Sequence, residues 1–158
     1  MRGMPRRSTA FDYPDEVPPG ALFVAADEPM LIFPSVNALE RSLEAIDVEN
    51  RVYPAAYGPH GEKFALTTRD EIVTVTPVRG EVRPEELRAL LLHYLEATHR
   101  SVEPMIATAD LVQAIWSEEA AFWREHDPYG DRFASKLPRW GCSLGLLIVL
   151  ILGYLLLR

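Results

Sequence analysis

Between residues 21 and 33 two short apolar runs, ALFVA and MLIF, are separated by Ala26-Asp27-Glu28-Pro29. Runs of that length bounded by turn residues predict one or two strands. From Ser35 the period lengthens: Val36, Leu39, Leu43 and Ile46 recur at helical spacing, with Glu40, Arg41 and Glu44 on the other side. This predicts a helix capped by Ser35 and ending near residues 47–50. Strand-like patterning follows at 52–57, 63–68 and 71–78, the last reading EIVTVTPV with β-branched residues throughout. Gly58-Pro59-His60-Gly61 and Arg69-Asp70 are turn-length links, so the three segments are expected to pair as an antiparallel meander. Pro54 and Pro77 belong at a strand end, edge or bulge, because neither can donate to a ladder.

Two helical patterns come next. One opens near Pro84, with Glu85 and Glu86 in its first turn and Leu87, Leu90, Leu91, Tyr94 and Leu95 on one face. Pro104 separates it from a third helix at about 107–126, where Val112, Trp116, Ala120 and Trp123 form an apolar stripe opposite Asp110, Ser117, Glu118 and Glu125. No repeat of solenoid period is visible. The expected fold class is α+β: a small antiparallel β-meander of three to five strands, with two or three helices on one face. Residues 1–20, rich in Pro and without periodicity, read as a flexible N-terminal arm, and 21–131 as the folded domain.

The last apolar pattern is of another kind. Residues 140–157, WGCSLGLLIVLILGYLLL, contain no charged side chain. As an α-helix they would cover roughly 27 Å, close to the hydrocarbon thickness of a bilayer. The expectation is a single C-terminal transmembrane helix preceded by a basic juxtamembrane linker at 132–139. Arg124, Arg132, Lys136 and Arg139 precede the run and Arg158 alone follows it, so the positive-inside rule keeps the domain in the cytoplasm. No early export signal is apparent. The expected location is therefore a membrane, single-pass and tail-anchored. Gly141, Gly145 and Gly153 fall on one stripe of the span and would allow a second helix to approach, giving a homodimer.

Composition narrows the partners. The 158 residues include 16 basic and 23 acidic side chains, a formal charge of −7. An acidic chain argues against nucleic acid, whose phosphates demand a basic face, and permits a basic protein partner. Only Lys63 and Lys136 are lysines; an Ala-, Leu-, Pro- and Arg-rich composition fits a GC-rich bacterial genome, hence a bacterial inner membrane. The one cysteine, Cys142, lies in the apolar run, which leaves no disulfide and no cysteine metal site.

Candidate chemistry is sparse. Glu96-Ala97-Thr98-His99 has the E-x-x-H spacing of carboxylate-bridged metal sites, but no second copy exists. His93 and His99 are not an i, i+4 ligand pair. His126 beside Asp127 is better read as a cation at a helix C-terminus than as a base with its orienting acid. No G-x-S-x-G is present. Trp116 and Trp123 share a face and could serve a partner or the membrane surface; acidic neighbours favour packing on the sheet. The expectation is thus a non-catalytic, membrane-anchored cytoplasmic domain that binds a protein partner, with Asp110, Glu118 and Glu125 as its contact residues and neither cofactor nor metal. One version is an immunity protein neutralising a basic toxin domain. The alternative is an enzyme acting on a lipid or membrane-bound substrate, using His93, Glu96, His99 or His126.

Overall fold

The computed structural model describes residues 13–27, 29–100 and 106–126. The fold is α+β, a five-stranded antiparallel sheet with helices, in strand order β2-β1-β3-β4-β5. The strands are β1 (Leu22–Val24), β2 (Leu31–Phe33), β3 (Ala56–Tyr57), β4 (Glu62–Arg69) and β5 (Ile72–Val82), and the helices α1 (Val36–Ser42), α2 (Ala45–Glu49), α3 (Pro84–Ala97) and α4 (Thr108–His126). The expected meander is β3-β4-β5, and β1 joins the β1-β2 hairpin to it by pairing with β3.

The helices do not gather on one face, as the sequence pattern had suggested. The register sets Leu22, Val24, Ala56, Phe64, Leu66 and Val75 on one side of the sheet and Phe23, Ile32 and Tyr57 on the other. α1 and α2 pack against β4 and β5 on the first side. On the second, Tyr57 reaches α3 through its hydroxyl, and α4 packs beside α3. All three residues of β1 are at most 1% exposed. A strand buried on both faces reads as a continuous apolar run, and ALFVA is one.

The helix expected from Val36 through Ile46 is two helices. Ser35 does cap the first, its Oγ accepting from the Ala38 amide at 3.1 Å. Leu43 and Glu44 are extended, so the chain turns there. Leu43 stays buried, whereas Ile46 is 55% exposed. Ser42 donates to the Ala38 carbonyl at 2.8 Å, a competing bond that weakens a helix end. The break lets α1 lie against the edge strands β2 and β5 while α2 packs on β4.

β5 is a long edge strand, and it is guarded. Its outward amides alternate; that of Val75 donates to Glu40 Oε1 on α1 at 2.9 Å. Two residues on, at the same parity, stands Pro77, which has no amide to leave unpaired. A carboxylate and a proline thus cover the middle of an edge that would otherwise template another strand.

Two close approaches join the sheet to α3. Gly61, at φ +89°, ends the β3-β4 turn, and a Cβ there would lie 2.6 Å from the Pro84 nitrogen. The Arg83 amide donates to the Gly61 carbonyl at 2.7 Å. Farther along β5, pairing passes from Phe64↔Pro77 to Glu62↔Val82, so several extra residues bulge from the strand around Gly80 (φ +77°). Within the stretch expected to be a free arm, residues 13–20 are held: Gln113 Nε2 and Trp116 Nε1 donate to the carbonyls of Asp15 and Pro14, at 2.8 and 2.9 Å. Tyr13 is buried, with its ring 6.3 Å from that of Trp116. The long range of these bonds hides them from a sequence reading.

Gly61→Ala should cost roughly 2–5 kcal/mol, combining left-handed strain with a backbone clash. Gly80→Ala, with nothing within 4 Å of the new methyl, should cost only the strain, about 1–2 kcal/mol; equal losses in chemical denaturation would contradict the close packing at Pro84. Glu40→Ala should lose about 1–3 kcal/mol by stranding the Val75 amide, and Glu40→Gln, which keeps an acceptor, should recover most of it.

Candidate partner-binding face

α4 is amphipathic in a simple way. Leu111, Val112, Ile115, Trp116 and Ala120 are buried. At about 100° per residue, Asp110, Ala114, Glu118, Ala121 and Glu125 fall within a sector of about 80° on the opposite side, and all five are exposed. The three acidic residues singled out from sequence therefore share one stripe, spaced by two alanines. Their surroundings differ. Glu118 forms an ion pair with Arg100, just past the end of α3, and the Arg100 guanidinium also stands 5.9 Å from the centre of the Tyr94 ring. Burial, reinforced by Glu119, pushes the Tyr94 hydroxyl above its ordinary range. Asp110 occupies the first turn of α4, where the helix dipole favours an acid.

Contacts advance in the same sense along α3 and α4. Arg88 donates to the Ile106 carbonyl at 2.8 Å, Leu95 faces Leu111 and Ile115, and Arg100 meets Glu118. Between the two helices runs a groove of about 540 Å³ with an apolar floor from Leu95, Leu111 and Ile115 and the Arg100–Glu118 pair on its wall. The acidic stripe forms one rim. Of the two tryptophans, Trp116 is fully buried; Trp123 is half-buried and donates to Glu119 through its indole nitrogen.

The histidines stay apart. His60 sits exposed in the β3-β4 turn, its amide held by Glu62 Oε2 at 3.0 Å. His93 is exposed on α3. His99 has φ 57° and follows α3 in a Schellman turn, with its own amide bonded to the Glu96 carbonyl at 3.0 Å and that of Arg100 to Leu95 at 2.8 Å. The E-x-x-H spacing is here a helix terminus. His126 closes α4, stacked on Phe122 at 4.0 Å, with Nδ1 2.7 Å from the Phe122 carbonyl. A carbonyl only accepts, so Nδ1 carries a proton in that contact. Among the described residues no three His, Cys, Asp or Glu side chains converge as metal ligands.

A further polar cluster, around Tyr57, escaped the sequence reading. The Tyr57 hydroxyl donates to Glu86 Oε2 at 2.6 Å. Arg83 lies 4.0 Å from Glu86 and 3.6 Å from Glu81, and Lys63 is 3.6 Å from Glu81 on the other side. Burial, then the Glu86 bond, pushes the Tyr57 hydroxyl up to about 12. Such a phenol stays protonated and donates; it ties β3 to α3 and is no base. Only its partners' convergence in space marks it, since Tyr57 and Glu86 lie 29 positions apart.

None of the described helices is long and apolar enough to cross a membrane. The 140–157 span, the 132–139 linker and Gly141, Gly145 and Gly153 lie outside the described residues. No family model matches the chain, and neither does any curated protein or solved structure.

The Tyr57 bond fixes the sign of an alkaline effect. Up to pH 10 a tyrosine is protonated in both folded and unfolded chains. Between pH 10 and about 12 the unfolded phenol ionises while Tyr57 in the fold does not, so stability falls through that window. Tyr57→Phe should be less stable by about 1 kcal/mol at pH 8, yet lose stability less steeply from pH 10 to 12. An unchanged slope in denaturant melts would refute the assignment.

Proposed function

We propose that this protein is a non-catalytic, membrane-anchored binder: a cytoplasmic domain, tethered by residues 140–157, that takes a basic protein partner on the exposed face of α4. The observation that carries the reading is the common stripe of Asp110, Glu118 and Glu125. Small alanines between the carboxylates let a partner approach the helix closely, and the α3-α4 groove beside them offers an apolar anchor point. Complementary charge would speed encounter and fix orientation more than it would add affinity. A basic toxin domain neutralised at the inner membrane is one partner of this chemistry, which would make the chain an immunity protein. The tether follows from the uncharged 140–157 run and from the basic residues that precede it. The scattered histidines give the enzyme alternative no assembled acid, base or nucleophile to build on.

A photo-crosslinking residue in place of Ala114, in the full chain within its own membrane, tests the face. It should give a discrete protein adduct whose yield falls at least about threefold as salt rises from 0.1 to 1 M, where the Debye length shrinks to about 3 Å. Asp110→Asn, Glu118→Gln and Glu125→Gln together should lower the yield likewise, with the circular dichroism of the domain unchanged. An adduct indifferent to both salt and the triple variant would remove the acidic stripe from the site.

A further inference from the structure

α4 outruns α3. The two helices lie side by side as far as the turn that closes α3, where Arg100 meets Glu118. From Glu118 the helix continues to His126, about 12 Å farther at a rise of about 1.5 Å per residue. The face that α3 covers continues with it. Around the helix axis Phe122 stands within about 20° of both Leu111 and Ile115, and His126 within about 20° of Ile115. Leu111 and Ile115 are buried, whereas Phe122 is 47% exposed and is the one aromatic among the large exposed hydrophobic residues described.

The overhanging turns carry an ordered aromatic unit. The Phe122 ring stacks on His126 at 4.0 Å and meets Trp123 edge-on at 4.9 Å. His126 is held by Nδ1 against the Phe122 carbonyl, and the Trp123 indole nitrogen donates to Glu119. Rings already fixed in place lose little freedom when something docks on them. An apolar ring body with a polar edge is the chemistry that favours the headgroup layer of a bilayer. The nearby carboxylates do not spoil the patch: Glu119 is engaged by Trp123, Glu118 by Arg100, and Glu125 sits at its margin, about 60° from Phe122 toward the acidic stripe.

Chain connectivity says what covers this end. Thirteen residues, 127–139, separate His126 from Trp140, where the uncharged run begins, and fully extended they span at most about 50 Å. Their last eight carry Arg132, Lys136 and Arg139 and no carboxylate, cations that a phospholipid surface attracts. So short a tether makes contact with the membrane intramolecular, and a patch too weak to hold a free domain there is still occupied. We propose that Phe122, Trp123 and His126, at the overhanging end of α4, rest in the phospholipid headgroup layer of the membrane that residues 140–157 enter. The proposal rests on the reading of 140–157 as an anchor. With that end of α4 on the bilayer, the acidic stripe runs away from the surface toward Asp110, open to a partner.

Tryptophan quenching tests the contact, with the full chain carrying Trp140→Phe in vesicles of phosphatidylethanolamine and phosphatidylglycerol. Trp116 and Trp123 are then its only tryptophans, and Trp116 is fully buried. Phospholipids brominated on the acyl carbons nearest the headgroup should quench the emission of Trp123, taken as the difference from the Trp123→Phe chain, by roughly half, because interfacial rings sit at that depth. Phe122→Asp should abolish the quenching at unchanged circular dichroism, and Phe122→Leu should keep most of it. Alkaline extraction followed by flotation reports the anchor separately. A chain that washes off the vesicles ends the anchor reading and the docking with it. A chain that floats with Trp123 unquenched overturns the docking alone, as does quenching that survives Phe122→Asp. Emission that shifts with protein density in the membrane, without bromine quenching, overturns it as well and assigns the patch to a second copy of the chain.

Discussion

Trp116 is fully buried, and its indole N–H has to find an acceptor inside the protein, because an unpaired donor there would cost roughly 1–3 kcal/mol. The Pro14 carbonyl supplies it. That bond needs residues 13–17 to run along α4, where Gln113 bonds to both Asp15 and Val17 and Arg124 pairs with Asp15 at 2.8 Å. It also fixes the rotation of α4 about its axis. With Trp116 inward, Leu111 and Ile115 meet α3, and Asp110, Glu118 and Glu125 fall on the exposed side of α4, where Glu118 pairs with Arg100. The acidic face is a consequence of the buried ring.

The sheet is held by different means on its two sides. β1 contributes only three residues, yet each is packed from one face or the other, and its pairing with both β2 and β3 makes it an interior strand. The β5 edge is covered by the carboxylate of Glu40 and interrupted by Pro77. At the other end of β5 the bulge carries Glu81 to Lys63 and Arg83, and Arg83 in turn meets Glu86. These ion pairs are half-exposed and individually weak. Their role is positional: together with Gly61 they bring the first turn of α3 down on the β3-β4 turn, so that Glu86 can accept from Tyr57.

Backbone strain recurs where short connections leave no choice. Asp70 and Glu71 both have positive φ, as a two-residue hairpin loop between Arg69 and Ile72 requires. Arg51 and His99 take the left-handed position after α2 and α3. Each costs roughly 1–2 kcal/mol relative to a relaxed backbone, and none of the four is glycine. At His99 the strained residue is exposed and closes a helix. At Arg51 it ends α2 and joins Val48, Phe64 and Leu66 in lining a hollow.

Much of this architecture was legible in the chain. The β3-β4-β5 meander followed from its short turns, α3 from Pro84 and its leucines, α4 from its apolar stripe, and the Ser35 cap from its place before Val36. Local rules determine such features, because the residues that decide them lie within a few positions of one another. The apolar runs at 21–25 and 30–33 marked strands by their length and flanking turn residues, whereas the burial of β1 on both faces is set by the helices on either side of the sheet. Other features had no local signature. The split between α1 and α2 depends on where β4 and β5 lie, which moves Ile46 out to solvent. Holding Pro14 against Trp116 or Tyr57 against Glu86 spans 102 and 29 positions. Sequence periodicity says which side of an element is apolar. Only tertiary packing decides what each side meets, because contact energy depends on distance in space, and the chain folds distant residues into one neighbourhood.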